Sequence, residues 1–135
     1  MGEHRDLTEG CGFGPVAKQS LNALVTVSFA CIRIAMQLQD LAQVVRSKNA
    51  GPRRITLDII FRSDVEYQRA AQSEALTAEK IAPLYGVAVD SVTVINYPLG
   101  RAIKIVVPRQ IMSGDPGDRD VYGAQQHTPL LKLEI

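Results

Sequence analysis

The chain has 135 residues, 46% of them apolar, which suits one packed domain, is short for two and excludes global disorder. Fifteen Lys and Arg stand against 14 acids, the formal charge is +1, and aromatic residues are only 5%. Binding by counterion release and base stacking needs a basic excess and exposed rings, so nucleic acid is excluded as the main partner. Cys11 and Cys31 are the only cysteines, and His4 and His127 the only histidines. That set is too small and too scattered for structural zinc, and too small for a disulfide scaffold, so no metal site is expected and the composition is that of a reduced, cytoplasmic domain.

In chain order, residues 1–35 differ from the rest. Leu21–Ala35 is the most continuous apolar run. It is shorter than the roughly 20 residues of a membrane span, Arg33 interrupts it, and the segment before it mixes acids with bases, unlike a signal-peptide n-region. The run reads as part of an N-terminal extension, with an export signal as the alternative. Met36 marks the junction with an orderly segment, which makes it a candidate natural start and places the functional domain in 36–135.

Gln37–Val45 has apolar residues spaced for a short amphipathic helix, with alternation at its end that also permits a strand, and Arg46–Pro52 (RSKNAGP) reads as a polar turn. Ile55–Phe61 is β-branched and predicts a strand. Ser63 or Asp64 caps a helix running to Ala75, and Thr77 opens a second one ending at Tyr85-Gly86. Asp90–Tyr97 and Ala102–Pro108 form a hairpin around Pro98-Leu99-Gly100. After the polar loop that begins at Ser113, Tyr122–Gln126 is expected as a short helix and Leu130–Ile135 as the last strand. The order β-α-α-β-β-α-β, with the paired helices merged, gives an α+β, ferredoxin-like split βαβ fold: a four-stranded, mainly antiparallel sheet with helices on one face.

Two polar segments carry the chemistry. Arg46, Ser47, Lys48 and Asn49 line up a guanidinium, a hydroxyl, an ammonium and an amide before a glycine, a set able to hold a carboxylate or phosphate; the other reading is a solvated turn. Ser113–Pro129 (SGDPGDRDVYGAQQHTP) is dense in Gly, Asp, Gln and His. Asp118, Tyr122 and His127 are its candidates for proton transfer, since histidine titrates near neutrality, and Asp120, Gln125 and Gln126 are candidates for ligand contact. Against that stands a structural role: aspartates capping a helix and a packed His127. Calcium-loop, nucleophile-elbow and phosphate-loop patterns are absent. Asp58 and Lys104, inside apolar strands, read as residues of the solvated sheet face, or as marks of a polar site there. The two polar segments are expected to meet, with the cations of the first pairing with the acids of the second.

LAQVVRSKNAGP, ITLDIIF, LTAEKIAPLYGV and SGDPGDRDVYGAQQHTPLLKLEI together resemble the domain-of-unknown-function 4387 family over roughly Met36–Ile135. Its layout is similar to the small C-terminal domain of acyclic terpene utilisation (AtuA-like) proteins. The resemblance implies a ferredoxin-like fold and a companion role: a small subunit of an AtuA-like catabolic enzyme acting on organic acids or their coenzyme A thioesters. It names no cofactor and no catalytic residue. The alternatives are a stand-alone small-molecule-binding or regulatory module, and an independent small lyase or hydrolase using His127.

Overall fold

The computed structural model describes residues 34–135, which from Ala35 onward form one unit. The N-terminal extension expected over 1–35, with its apolar run and both cysteines, falls almost wholly outside them. Three helices and four strands follow: α1 (Leu38–Leu41), β1 (Val44–Asn49), β2 (Arg54–Ile60), α2 (Asp64–Ala71), α3 (Ala78–Tyr85), β3 (Thr93–Tyr97) and β4 (Ala102–Pro108). The strands make one antiparallel sheet in the order β1-β2-β4-β3.

The α+β class and the four antiparallel strands are as expected. So is the split βαβ unit, in which β4 lies between β2 and β3 while the helices connect them. The fourth strand differs. It is Val44–Asn49, from the segment read as a helix end and a turn, and not Leu130–Ile135. The hairpin β1–β2 takes the outer edge of β2, pairing Val44 with Ile60 and Asn49 with Ile55. With that edge filled, the C-terminal segment makes a single bridge, Glu134 with Gln37, and runs beside the start of the unit through Leu38 N to Leu133 O (2.8 Å) and Ile135 N to Met36 O (2.8 Å). Tyr122–Gln126 forms no helix. The stretch from Arg109 to His127 is a chain of turns.

Local chemistry accounts for the helices. Ser63 and Glu66 form a capping box at α2: Ser63 Oγ accepts from Glu66 N (3.3 Å) and Glu66 Oε2 accepts from Ser63 N (3.1 Å). α3 ends on Gly86 at φ +62°, the left-handed cap that glycine adopts without strain. Phe61 leads into α2 and meets Tyr67 edge to face, with ring centroids 6.2 Å apart.

Period-two alternation sorts the sheet into two faces. Ile55, Leu57 and Ile59 of β2 lie opposite Val107, Ile105 and Ile103 of β4 and are buried with α2, α3 and Leu130. Each fully buried aliphatic side chain here contributes about 1.5–3 kcal/mol. The other face is open and carries Arg46, Lys48, Asp58 and Lys104.

Candidate functional site

The loop from Arg109 to His127 has no strand ladder or helix to satisfy its backbone, so side chains do that work. Arg109, immediately after β4, is its centre. Its Nη2 pairs with Asp118 Oδ1 at 2.7 Å, with both side chains almost fully buried (4% and 3% exposed). The same nitrogen donates to the Asp120 carbonyl (2.9 Å), and Nη1 donates to Asn49 Oδ1 (2.6 Å). Asp118 also accepts from Asp120 N on Oδ1 and from Gly114 N on Oδ2, both at 2.9 Å. These two backbone donors, with the Arg109 charge behind them, hold the Asp118 carboxyl below its ordinary 3.8.

Asp120 organises the second half of the loop. Oδ1 accepts from Ala124 N (3.0 Å), and Oδ2 from Gln125 N (2.9 Å) and Gln126 Nε2 (3.0 Å). Burial works against its charge, but the donors from Gln125, Gln126 and Ala124, aided by Arg109, outweigh it and leave the carboxyl below its usual value. Tyr85, from α3, donates to the Gln126 carbonyl (2.8 Å), and burial pushes its phenol upward.

β1 receives the loop on its inward side. Ser47 Oγ accepts from Gln126 N (2.9 Å) and lies 3.4 Å from His127 Nδ1. Asn49 Nδ2 donates to Val121 O (2.6 Å) and Ser113 Oγ (3.2 Å). Gly123, at φ +68°, packs so closely that a Cβ there would collide with Asn49, reaching 3.1 Å from its backbone nitrogen. His127 Nδ1 also lies 3.1 Å from the Ala124 carbonyl. A carbonyl only accepts, so in the neutral ring Nδ1 carries the proton and Nε2 is the basic nitrogen.

The expected meeting of the two polar segments therefore occurs through half of the first one. Ser47 and Asn49 reach the loop. Arg46 and Lys48, one residue out of phase, face the opposite side of the sheet and pair with Asp58: Arg46 Nε to Oδ2 at 3.1 Å and Lys48 Nζ to Oδ2 at 3.8 Å. Asp118 takes as its cation Arg109, a residue that sequence reasoning passed over. Its only signal was its place between a strand and an aspartate-rich stretch. Asp118, Tyr122 and His127 are not hydrogen-bonded to one another. Asp118 is consumed by the loop, and Tyr122 is 85% exposed.

Beside the clamped loop lies a concavity of about 670 Å³, lined by Arg119, Asp120, Gln125 and Gln126 together with Leu84, Tyr85 and Ile111. Leu84 and Ile111 in its lining, and Val121 and Tyr122 elsewhere on the loop, are exposed apolar residues. Among the described residues no group of three His, Cys, Asp or Glu could hold a metal ion, and no helix is long and apolar enough to cross a membrane.

The fold and loop define a small α+β domain built around a clamped polar loop. The chain belongs to the family described as a domain of unknown function (DUF4387), whose model matches residues 38–134. No match was found among the curated proteins or among the solved structures.

Proposed function

We propose that the chain is a companion subunit of a larger AtuA-like catabolic enzyme acting on organic acids or their coenzyme A thioesters, and that the loop side of the domain completes a site shared with that partner. One observation carries this reading: Asp118 and Asp120 are spent on holding the loop, while the loop exposes Ile111, Val121 and Tyr122, the first of them lining an open concavity. Both oxygens of Asp118 and of Asp120 are engaged, and His127 Nε2 accepts no hydrogen bond among the described residues. A base without an orienting acid or a nucleophile is an incomplete set. Exposed Ile111, Val121 and Tyr122 on a rigidly held loop fit a protein partner. In the shared site, His127 Nε2 is the proton-handling group, and Gln125, Gln126 and Arg119 are the ligand contacts.

Co-expression with the larger AtuA-like protein tests the proposal. A stable complex, burying more than about 1,000 Å² in total and weakened by Tyr122→Asp, is expected. Turnover by that complex should fall on His127→Ala while assembly persists. Separate elution of the two chains at micromolar concentration, with no gain in activity on mixing, overturns it.

A further inference from the structure

The open face of the sheet, on the opposite side from the loop, carries groups that the shared-site reading does not use. Register places them in rows across four strands. One row runs Arg46, Asp58, Lys104, Ile95, and the next runs Val44, Ile60, Ala102, Tyr97. The first row, joined by Lys48, gathers three cations on one carboxylate. Arg46, Lys48 and Lys104 lie 3.1, 3.8 and 4.0 Å from Asp58, whose side chain is only 10% exposed beneath them. One acid cannot neutralise three cations, so a formal charge of two remains. Arg46 engages Asp58 through Nε, and its two Nη groups make no hydrogen bond among the described residues. That leaves a planar fork suited to a carboxylate or phosphate.

The second row is apolar, and its middle is low. Ala102, a short side chain between Ile60 and Tyr97, helps open a hollow of about 470 Å³ whose walls are the cations on one side and Ile95 and Tyr97 on the other. That volume lies within the range of small-ligand pockets. Ile95 and Tyr97 are 46% and 55% exposed. A solvated charged face needs no such apolar wall, and an apolar docking face would not concentrate surplus cations at its centre.

We infer that this hollow binds a small organic anion with an apolar body, its carboxylate or phosphate head on Arg46, Lys48 and Lys104 and its body over Ala102 between Ile60 and Tyr97. Asp58 holds the cations in place and competes with the ligand for them. The inference stands independently of the shared-site reading.

The test is titration of the full chain, followed by backbone amide NMR, with hexanoate, hexyl phosphate and inorganic phosphate. Expected are shifts at Arg46, Asp58, Ile95, Tyr97 and Lys104, with at least one hexyl ligand binding more tightly than inorganic phosphate; the tighter hexyl ligand identifies the head group. Arg46→Gln should weaken that binding about tenfold, the scale of a lost charged hydrogen bond. Tyr97→Ala should weaken the hexyl ligands and leave inorganic phosphate unchanged. Asp58→Asn, which keeps the shape and removes the competing charge, should tighten binding. Shifts confined to the loop, equal binding of all three anions, insensitivity to Arg46→Gln in a folded variant, or a face found covered by a second copy of the chain would each overturn the inference.

Discussion

Asn49 ties three stretches of chain together with one amide: its own strand, the Ser113–Val121 segment and the guanidinium of Arg109. Asn49→Ala removes these bonds at once and leaves Arg109 Nη1 without its acceptor, while the Val121 carbonyl keeps only its bond from Ser113 Oγ. The expected loss is about 1–3 kcal/mol of stability, the cost of stranding partly buried polar groups, read by chemical denaturation. Faster amide exchange should appear at Gly123 and Gln126 and not in α2. Asp118 and Asp120 make a separate prediction in pH. Their folded values lie below the 3.8 of a free carboxyl, so the stabilisation they supply is complete above that value. It is lost as the pH falls through the folded values, because the unfolded chain takes up protons first. Below about pH 5 the melting temperature should fall, most steeply as the pH drops past 3.8 toward the folded values, and Asp118→Asn should start lower and flatten that fall. An unchanged slope in that variant would show that Asp118 is not a source of the acid sensitivity.

At the scale of elements, α2 depends on its capping box. Ser63→Ala should cost about 1 kcal/mol, with helix fraying at the Glu66 amide as the local readout; an exchange rate there equal to wild type would contradict this. The elements most legible in sequence were those whose signals are local. Ser63 with Glu66, Thr77 to Gly86, and the β-branched runs of β2 and β4 mark themselves by caps and alternation, and the structure places them within a few residues of expectation. Most of β1 hid because, past Val44 and Val45, both its faces are polar. Arg46 and Lys48 serve the open face while Ser47 and Asn49 bond the loop, so no apolar alternation remained to read. LLKLEI alternates like a strand yet stays outside the sheet, because the edge it would have joined is already occupied. For the site, the meeting of the two polar segments was legible from Arg46, Lys48 and Asn49 as donors facing Asp118 and Asp120 in need of partners, although the contacts run through Ser47 and Asn49 instead. The partition of Arg46 and Lys48 to the other face was not, since it follows from the strand phase of a segment read as a turn. The central role of Arg109 rests on tertiary contacts that one more cation after a strand does not announce.

For the whole molecule, the consequence of the Met36–Ile135 contact lies in connectivity. The two ends of the packed unit are adjacent, joined by Ile135 N to Met36 O at 2.8 Å, whereas the β1–β2 turn around Gly51 is exposed with open space about it. A circular permutant that joins residue 135 to residue 36 by a short glycine linker and opens between Ala50 and Gly51 keeps every strand pairing. Termini at exposed turns tolerate such cuts. Its chain order becomes β2-α2-α3-β3-β4-α1-β1, with β1 as the last strand and α1 as the helix before it. That is the β-α-α-β-β-α-β succession anticipated for the sequence, now with Val44–Asn49 in place of Leu130–Ile135. The permutant should melt in one cooperative transition close to that of the linear 36–135 unit. Loss of cooperativity in the permutant alone would mean that the hairpin turn is needed to seat β1 on the sheet.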